Sequence, residues 1–316
     1  MPRLYICGEA LIDFVPMKGA EGQSGYEPKP GGSPYNAAKA AARAGADVSF
    51  LGAMSNDFFG DQLKDHLEES GVYCDAVPRS PHPSTLAFVD LSTGDPRYAF
   101  FNNNASTANM APIPAMIQPQ PGDILDVGSI SLIDLPGADN ITEFAVSMSS
   151  QMMLAIDPNA RPSMIEDWPA WRARMARLLD VATIIKLSVE DLEVIEPHHT
   201  PDQFAELRIN AGTGLVIVTD GGNGATGYTG SAKFQAKTPQ IELADTVGAG
   251  DTLMGTTLAW ILHQEIQDAD GLRGLGEGDL KNMLTFAASA AAINCQSVGC
   301  NPPTRAEIEA FLAANG

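Results

Sequence analysis

The stretch DTVGAGDTLMG (245–255) places three small residues between two aspartates and precedes a long apolar segment. The apolar segment predicts a helix that begins near Ala249. At such a helix start, the free backbone N–H groups of Gly248, Ala249 and Gly250 would meet the positive end of the helix dipole and form an anion site. A carboxylate beside an anion is unfavourable unless it has a function, so Asp251 is expected to take a proton from a hydroxyl that attacks a bound phosphoryl group. The alternative is that Asp251 only caps the helix after a glycine turn.

A second cluster of candidate residues lies near the N-terminus, in the run GGSPYNAAKAAARAG (31–45). Gly31 and Gly32 permit close approach of the backbone to a ligand. Asn36 falls on the first turn of an alanine-rich helix, where its amide either faces a polar ligand or faces solvent. Asp13 lies among apolar residues in ALIDFV, and a carboxylate in such surroundings needs a partner. Two sugar hydroxyls would supply one, and so would a nearby Lys or Arg.

Composition and missing motifs exclude several classes of protein. The balance of 19 Lys and Arg against 39 Asp and Glu, a net charge of −20, argues against nucleic acid or an anionic membrane as partner. There is no P-loop pattern GxxxxGK[ST], and CGEALIDF has too few glycines for a dinucleotide fingerprint. The four cysteines show no CxxC spacing, so neither a zinc site nor a disulfide framework is predicted. Without a signal-peptide pattern or a membrane-length apolar run, we expect a cytoplasmic protein.

Strand and helix patterns alternate along most of the chain, which favours an α/β fold with a mostly parallel sheet. The rhythm changes at STLAFVDLSTGDPRYAFF, where two β-rich runs and a Thr-Gly-Asp-Pro turn predict a hairpin. Together with IDFVP and GYEPKP, this hairpin could form a small separate sheet. We therefore expect one domain over residues 1–316, interrupted by excursions at about 13–33 and 84–104.

These pieces, in this order, resemble the ribokinase-like, or PfkB, family of carbohydrate kinases. The resemblance is carried by GGSPYNAA and DTVGAGDT, with DPNAR, KLS and TDG between them, and it extends over nearly the whole chain. It implies a three-layer α/β/α sandwich with a small β-sheet lid over a sugar site. It also implies transfer of the γ-phosphoryl group of ATP to a sugar hydroxyl with the help of Mg²⁺.

The resemblance assigns roles to individual residues of this sequence. It makes Asp251 the catalytic base and gives the anion-binding amides to Gly248, Ala249 and Gly250. The residues implied at the sugar are Asp13, Gly31, Gly32, Asn36 and Arg161. The residues implied at ATP are Lys186, Ser188, Thr219, Gly221, Gly224 and Asn282. The residues implied at metal ions are Glu190 or Asp191 for Mg²⁺ through water, and Asp245, Val247 and Gly299 for a monovalent cation such as K⁺.

One departure from the family pattern affects the magnesium site. Family members often carry Asn-x-x-Glu where this chain has Ser188-Val189-Glu190-Asp191. Asp191 has the matching spacing, whereas Glu190 is the chemically closer match, so the sequence leaves both open.

The segments GEALIDFVP and KLSVEDLEVI look most like those of bacterial fructokinases, which implies fructose as acceptor and fructose 6-phosphate as product. Sugar selection is expected on the lid, where Arg97 and the amides of Asn102 to Asn104 lie. Arg97 could instead meet the carboxylate of a sugar acid, which keeps 2-keto-3-deoxygluconate as an alternative beside ribose and nucleosides. A sugar-binding regulator without catalysis is the alternative from another class. The exposed lid sheet predicts a homodimer formed through the lids.

Overall fold

The computed structural model describes residues 2–19, 22–90, 97–113 and 117–315. The strands in these ranges are β1 Leu4–Cys7, β2 Leu11–Lys18, β3 Ser24–Gly31, β4 Val48–Phe50, β5 Met54–Ser55, β6 Arg79–Ser80, β7 Thr85–Asp90, β8 Arg97–Phe101, β9 Ile124–Gly128, β10 Met153–Asp157, β11 Ile184–Ser188, β12 Leu215–Thr219, β13 Ala225–Tyr228 and β14 Lys233–Ala236. The α-helices are α1 Ser33–Arg43, α2 Phe58–Glu69, α3 Gly137–Met148, α4 Trp168–Val181, α5 Val189–Ile195, α6 Pro201–Ala211, α7 Ala249–His263, α8 Ala269–Arg273, α9 Glu277–Asn294 and α10 Arg305–Asn315.

Eight strands form the main sheet, in the order β14-β13-β12-β11-β10-β9-β1-β4. All its neighbours pair in parallel except β12 with β13 and β13 with β14. Successive strand residues point to opposite faces, so Ile184 and Ile185 of β11 belong to two different buried clusters. One cluster packs under α1, α7 and α9, and the other under α3, α4 and α6. The predicted three-layer α/β/α sandwich is confirmed.

A second sheet has four strands in the order β3-β2-β7-β8. Strands β7 and β8 pair antiparallel, as the predicted hairpin requires, and β2 pairs antiparallel with β3 and parallel with β7. The predicted Thr-Gly-Asp-Pro turn (93–96) lies outside the described residues. Tyr98 and Phe100 of β8 line the same cavity as Gly248 and Asp251 of the main body, so this sheet covers the start of α7.

Helices α1 and α7 approach each other closely because small residues face one another. A Cβ atom at Gly255 of α7 would lie 2.2 Å from the carbonyl oxygen of Ala37 and 3.0 Å from Cβ of Ala40, both on α1. Any larger residue at position 255 would therefore push the two helices apart. The close contact brings the first turn of α1 against the first turn of α7, where the two motifs of the sequence lie.

The carboxyl ends of the parallel strands meet at one edge of the main sheet. Asp157 pairs in register with Gly128, and Ser188 pairs with Thr219, so residues distant in sequence become neighbours there. In open α/β sheets this edge is where ligands bind. Among the helices of the described ranges, none is long and apolar enough to cross a membrane.

Candidate active site

Helix α7 begins where the sequence predicted, and its N-cap residue Gly248 adopts a left-handed conformation with φ of 74°. A Cβ there would also lie 2.5 Å from the Sγ atom of Cys300, so both backbone and space favour glycine. The N–H of Ala249 donates to the carbonyl of Thr246 at 3.2 Å. Of the three amides predicted to bind an anion, only those of Gly248 and Gly250 have no backbone acceptor within the described residues.

Asp251 lies on the first turn of α7 and is only 8% exposed. Its carboxylate accepts hydrogen bonds from two side chains of α1, Ser33 Oγ at 2.7 Å and Asn36 Nδ2 at 2.8 Å. No side chain caps α7, so Asp251 does not act as the cap that the alternative interpretation required. Burial raises the pKa of Asp251, while these hydrogen bonds and the positive charges of Lys186 and Arg161 oppose the rise.

A cavity of about 250 Å³ connects the two motifs under the small sheet. It brings together most of the residues predicted at the sugar and at the reacting phosphoryl group. Those that line it are Asp13, Gly32, Asn36, Arg161, Lys186, Val247, Gly248, Ala249, Gly250 and Asp251. Gly31 lines an adjoining cavity of about 500 Å³ that also contains Asp13, Asn36, Asp245, Val247 and Gly299.

Asp13 lines both of these cavities and has no basic partner among the described residues. No hydrogen bond or ion pair to Asp13 occurs in the part of the chain that the structure describes, so the expected alternative of a nearby Lys or Arg is not realised there. A Cβ at Gly31 would lie 2.3 Å from Oδ2 of Asp13, so the glycine leaves room for the carboxylate. Burial, with a smaller effect from the charge of Asp251, raises the pKa of Asp13 to about 7.

Two cations face the cavity from the main sheet edge. Lys186 is buried and donates to Asp157 Oδ2 at 2.7 Å, and a Cβ at Gly250 would lie 3.0 Å from its Nζ. Burial alone would lower the pKa of Lys186, but the carboxylate of Asp157 and other acids raise it above its usual value. Arg161 bonds through Nη1 to Asn159 and to the carbonyl of Ala160, which holds the guanidinium beside the cavity.

The residues predicted to bind ATP are only partly brought together. Ser188 and Thr219 are register partners at the ends of β11 and β12. Gly221 and Gly224 follow in the next turn with φ of 45° and 101°, and a Cβ at Gly224 would lie 2.0 Å from the carbonyl oxygen of Ala236. Asn282 lies on the exposed side of α9 and forms no hydrogen bond to these residues in the described ranges.

The structure separates the two carboxylates proposed for magnesium. Asp191 accepts from the N–H of Ser188 at 3.0 Å and from the N–H of Ala160 at 2.7 Å. Each of its two carboxylate oxygens therefore already accepts a backbone hydrogen bond. Ser188 in turn accepts from the N–H of Asp191, which completes a capping box for α5. Glu190 is exposed and makes no hydrogen bond or ion pair within the described residues. Of the two, Glu190 is the carboxylate free to hold a metal-bound water.

The residues predicted around a monovalent cation are neighbours. Asp245 accepts from the N–H of Val247 at 3.1 Å and of Gly299 at 2.8 Å, and Asn294 donates to the carbonyl of Val247 at 2.8 Å. These oxygens are close together, although each already accepts a hydrogen bond. In the residues that the structure describes, no group of three or more His, Cys, Asp or Glu side chains could hold a metal ion.

Several cavity residues were not singled out from the sequence. Ser33 bonds Asp251, and the buried Glu9 accepts from the N–H groups of Ser33 and Ser131, with burial raising its pKa to about 7. The sequence did offer a signal for Glu9, because GEALID places its carboxylate close to apolar residues, as it does that of Asp13. Nothing in the sequence distinguished Ser33 from other serines near a glycine turn, because its partner Asp251 lies 218 positions away.

The lid residues proposed for sugar selection take different positions. Arg97 is mostly exposed, pairs with Asp90 and does not line the cavity with Asp251. Asn102 bonds Asp134, and both it and Asn103 line a further cavity of about 490 Å³ that shares the walls Tyr98 and Phe100 with the first one. The residues of β8 that line the cavity with Asp251 are thus the aromatic ones, Tyr98 and Phe100.

Both the sequence and the fold of this chain are similar to those of known proteins. The chain is 34% identical to a fructokinase from Rhizobium leguminosarum bv. trifolii over 282 residues, which cover 88% of this chain and 86% of that protein. The fold is similar to that of a fructokinase from Xylella fastidiosa with bound ATP, with a TM-score of 0.85, 24% identity and coverage of 99% and 98% of the two chains. It is equally similar to a fructokinase from Vibrio cholerae O395 bound to fructose, ADP and calcium ion, with a TM-score of 0.85, 24% identity and 99% coverage of both chains.

The model of the pfkB family carbohydrate kinases matches residues 1–307, nearly the whole chain. This match includes both motifs, the cavity between them and the small sheet above it. The chain therefore belongs to the pfkB family of carbohydrate kinases.

Proposed function

We propose that this protein is an ATP-dependent sugar kinase that transfers the γ-phosphoryl group of ATP to fructose and forms fructose 6-phosphate. One observation carries the proposal: the buried carboxylate of Asp251 lies beside the open amides of Gly248 and Gly250, in a cavity that also contains Asp13. Phosphoryl transfer to an alcohol needs a base, an anion site and a group that accepts hydrogen bonds from the sugar hydroxyls.

In this mechanism, Asp13 and Asn36 orient the sugar, and Asp251 takes the proton of the attacking hydroxyl as the oxygen bonds to phosphorus. The N–H groups of Gly248 and Gly250 stabilise the negative charge on the transferring group, and Lys186 and Arg161 add positive charge nearby. Bound Mg²⁺ would neutralise the phosphates, with Glu190 holding it through water. The oxygens of Asp245 and Val247 could also help to bind K⁺ beside the anion site.

The position of Arg97 gives no support to a sugar acid as the acceptor. Arg97, whose charge suggested 2-keto-3-deoxygluconate, pairs with Asp90 and does not line the cavity. The similarity to a fructokinase at 34% identity supports fructose among the neutral sugars. Since ATP is a cytoplasmic metabolite, we place the protein in the cytoplasm. We further propose that the four-stranded sheet is a lid within a single kinase domain.

The acceptor is tested by measuring ADP release with Mg-ATP and, separately, fructose, 2-keto-3-deoxygluconate, ribose and adenosine. We expect the highest kcat/KM for fructose. A higher value for the keto acid would replace fructose and make Arg161 the cation that binds its carboxylate. Sugar binding without any ADP release would instead support a non-catalytic regulator.

A further inference from the structure

Two buried aspartates beneath the candidate base each have an oxygen without a partner. Asp126 on β9 is 3% exposed and Asp157 at the end of β10 is 5% exposed. The Oδ1 atoms of both lack a hydrogen-bond partner among the described residues, whereas Oδ2 of Asp157 is bonded to Lys186. Buried carboxylate oxygens without partners are costly, so this arrangement needs an explanation.

A small cavity of about 10 Å³ adjoins both aspartates. Roughly this much room is needed for one water molecule, which requires two to four polar partners. Ser33 also lines this small cavity, and the same serine donates to Asp251 on its other side. The polar atoms required for a buried water are therefore present, and one of them contacts the catalytic base.

We propose that Asp126 and Asp157 hold one water molecule in this small cavity, and that the water directs the Ser33 hydroxyl towards Asp251. Protonated Asp126 donates to the water, and the water donates to Oδ1 of Asp157 and to Oγ of Ser33. Because Oγ of Ser33 accepts a hydrogen bond from the water, the hydroxyl hydrogen of Ser33 is donated to Asp251. Asp126 and Asp157 are thus positioning residues, and this inference rests on the proposed role of Asp251 as base.

The charges around Asp126 support this protonation pattern. Burial, followed by the nearby negative charge of Asp157, raises the pKa of Asp126 well above its usual value. Asp157 has a cation in direct contact and Asp126 does not, so a single shared proton belongs on Asp126. The titratable groups that act on Asp126 or are acted on by it are Asp157, Lys186, Asp251, Glu9 and Cys7.

The kinetic test compares variants that keep or remove the donor at position 126. Asp126→Asn can still donate to the water, so the acid limb of the kcat–pH profile should stay in place. Asp126→Leu removes the donor, so kcat should fall about fivefold, which corresponds to the loss of about one hydrogen bond. The acid limb of the kcat–pH profile should also move to higher pH. Ser33→Ala should do the same, and the double variant Ser33→Ala with Asp126→Leu should add little more. Fully additive effects, or equal profiles for Asn and Leu, would overturn the proposal.

A spectroscopic test does not depend on activity or on Asp126→Leu folding. At pH 7 the wild-type protein should show the infrared carbonyl stretch of protonated Asp126. A wild-type minus Asp126→Asn difference spectrum should isolate this band from those of Glu9 and Asp13, whose pKa values are about 7. Asp123→Asn is the control, since Asp123 immediately precedes the same strand and accepts from the N–H groups of Arg3 and Gln120. It should leave the band in place. A difference spectrum without this band would overturn the proposal even if the kinase activity were confirmed.

Discussion

At the scale of single residues, the site depends on how one carboxylate is held. Asp251 is buried, yet it receives hydrogen bonds from Ser33 and Asn36 and positive potential from Lys186 and Arg161. Burial favours its protonated form and the partners favour its ionised form. A base must be ionised before the reaction and must accept a proton during it, and this balance of effects suits both requirements.

Asp251→Asn should abolish most of the activity because an amide cannot accept the hydroxyl proton. We expect kcat to fall by about two to four decades, while the dissociation constant for the sugar changes little. The measurements are steady-state ADP release and sugar binding by calorimetry. Near wild-type kcat in this variant would show that another group is the base.

At the scale of secondary structure elements, the start of α7 is shaped by one left-handed residue. Gly248 has φ of 74°, which turns the chain into the helix, and Cys300 packs against it. The same turn leaves the N–H groups of Gly248 and Gly250 open towards the cavity. In the proposed mechanism, stability and anion binding therefore depend on the same few atoms.

Gly248→Ala should lower both the stability of the protein and its kinase activity. The Cβ would be strained at this φ and would lie 2.5 Å from the Cys300 sulfur, so the free energy of unfolding should fall by about 1–3 kcal/mol. The kcat should fall at least tenfold because the amides move. Gly278→Ala in α9 is the control, since a Cβ there meets nothing within 4 Å. Urea unfolding and ADP release measure the two effects, and equal behaviour of the two variants would contradict this account.

At the scale of the whole molecule, buried acids link stability to pH. Burial raises the pKa of Glu9 and Asp13 to about 7 and of Asp157 to about 6. Between the pKa values of the unfolded and folded states, the native protein holds protons that the unfolded chain has released. The free energy of unfolding must then fall as pH rises through this window. Burial lowers the pKa of His66 to about 4, which acts in the opposite direction mainly below pH 6.5.

From pH 6 to pH 8 we therefore expect the free energy of unfolding to decrease by about 2 kcal/mol or more, since protonated Asp126 acts in the same direction. Urea titrations at the two pH values measure the change. Asp13→Asn removes one of the acids without changing its size, so this variant should lose less stability over the same interval. A wild-type protein that is equally stable or more stable at pH 8 would contradict the raised pKa values.

The outer face of the lid bears on assembly. Tyr26 on β3 and Phe101 on β8 are 49% and 62% exposed, and both rings contact Phe88 of β7 on the same face of the four-stranded sheet. We propose that a second copy of the chain covers this face, so light scattering should give the mass of a dimer. Phe101→Glu should shift it towards the monomer, whereas Leu207→Glu on α6 should not. A monomeric wild type at all accessible concentrations would remove this proposal.

Local sequence by itself determined much of this protein. The apolar run after Gly250 specified helix α7, the alternation of strand and helix specified the α/β class, and the β-rich runs specified the lid hairpin. Each of these depends on residues close together in the chain, because periodicity and glycine turns act over a few positions. The two family motifs could be recognised for the same reason.

Only the tertiary structure decided which side chains meet. Ser33 and Asp251 are 218 positions apart, and their hydrogen bond exists because Gly255 lets α1 and α7 approach closely. The unpartnered oxygens of Asp126 and Asp157 likewise become neighbours only through the pairing of β9 with β10. Such contacts depend on sheet order and helix packing, which no local pattern encodes. Local patterns could therefore predict the candidate base, while the packed fold selected the groups that hold it.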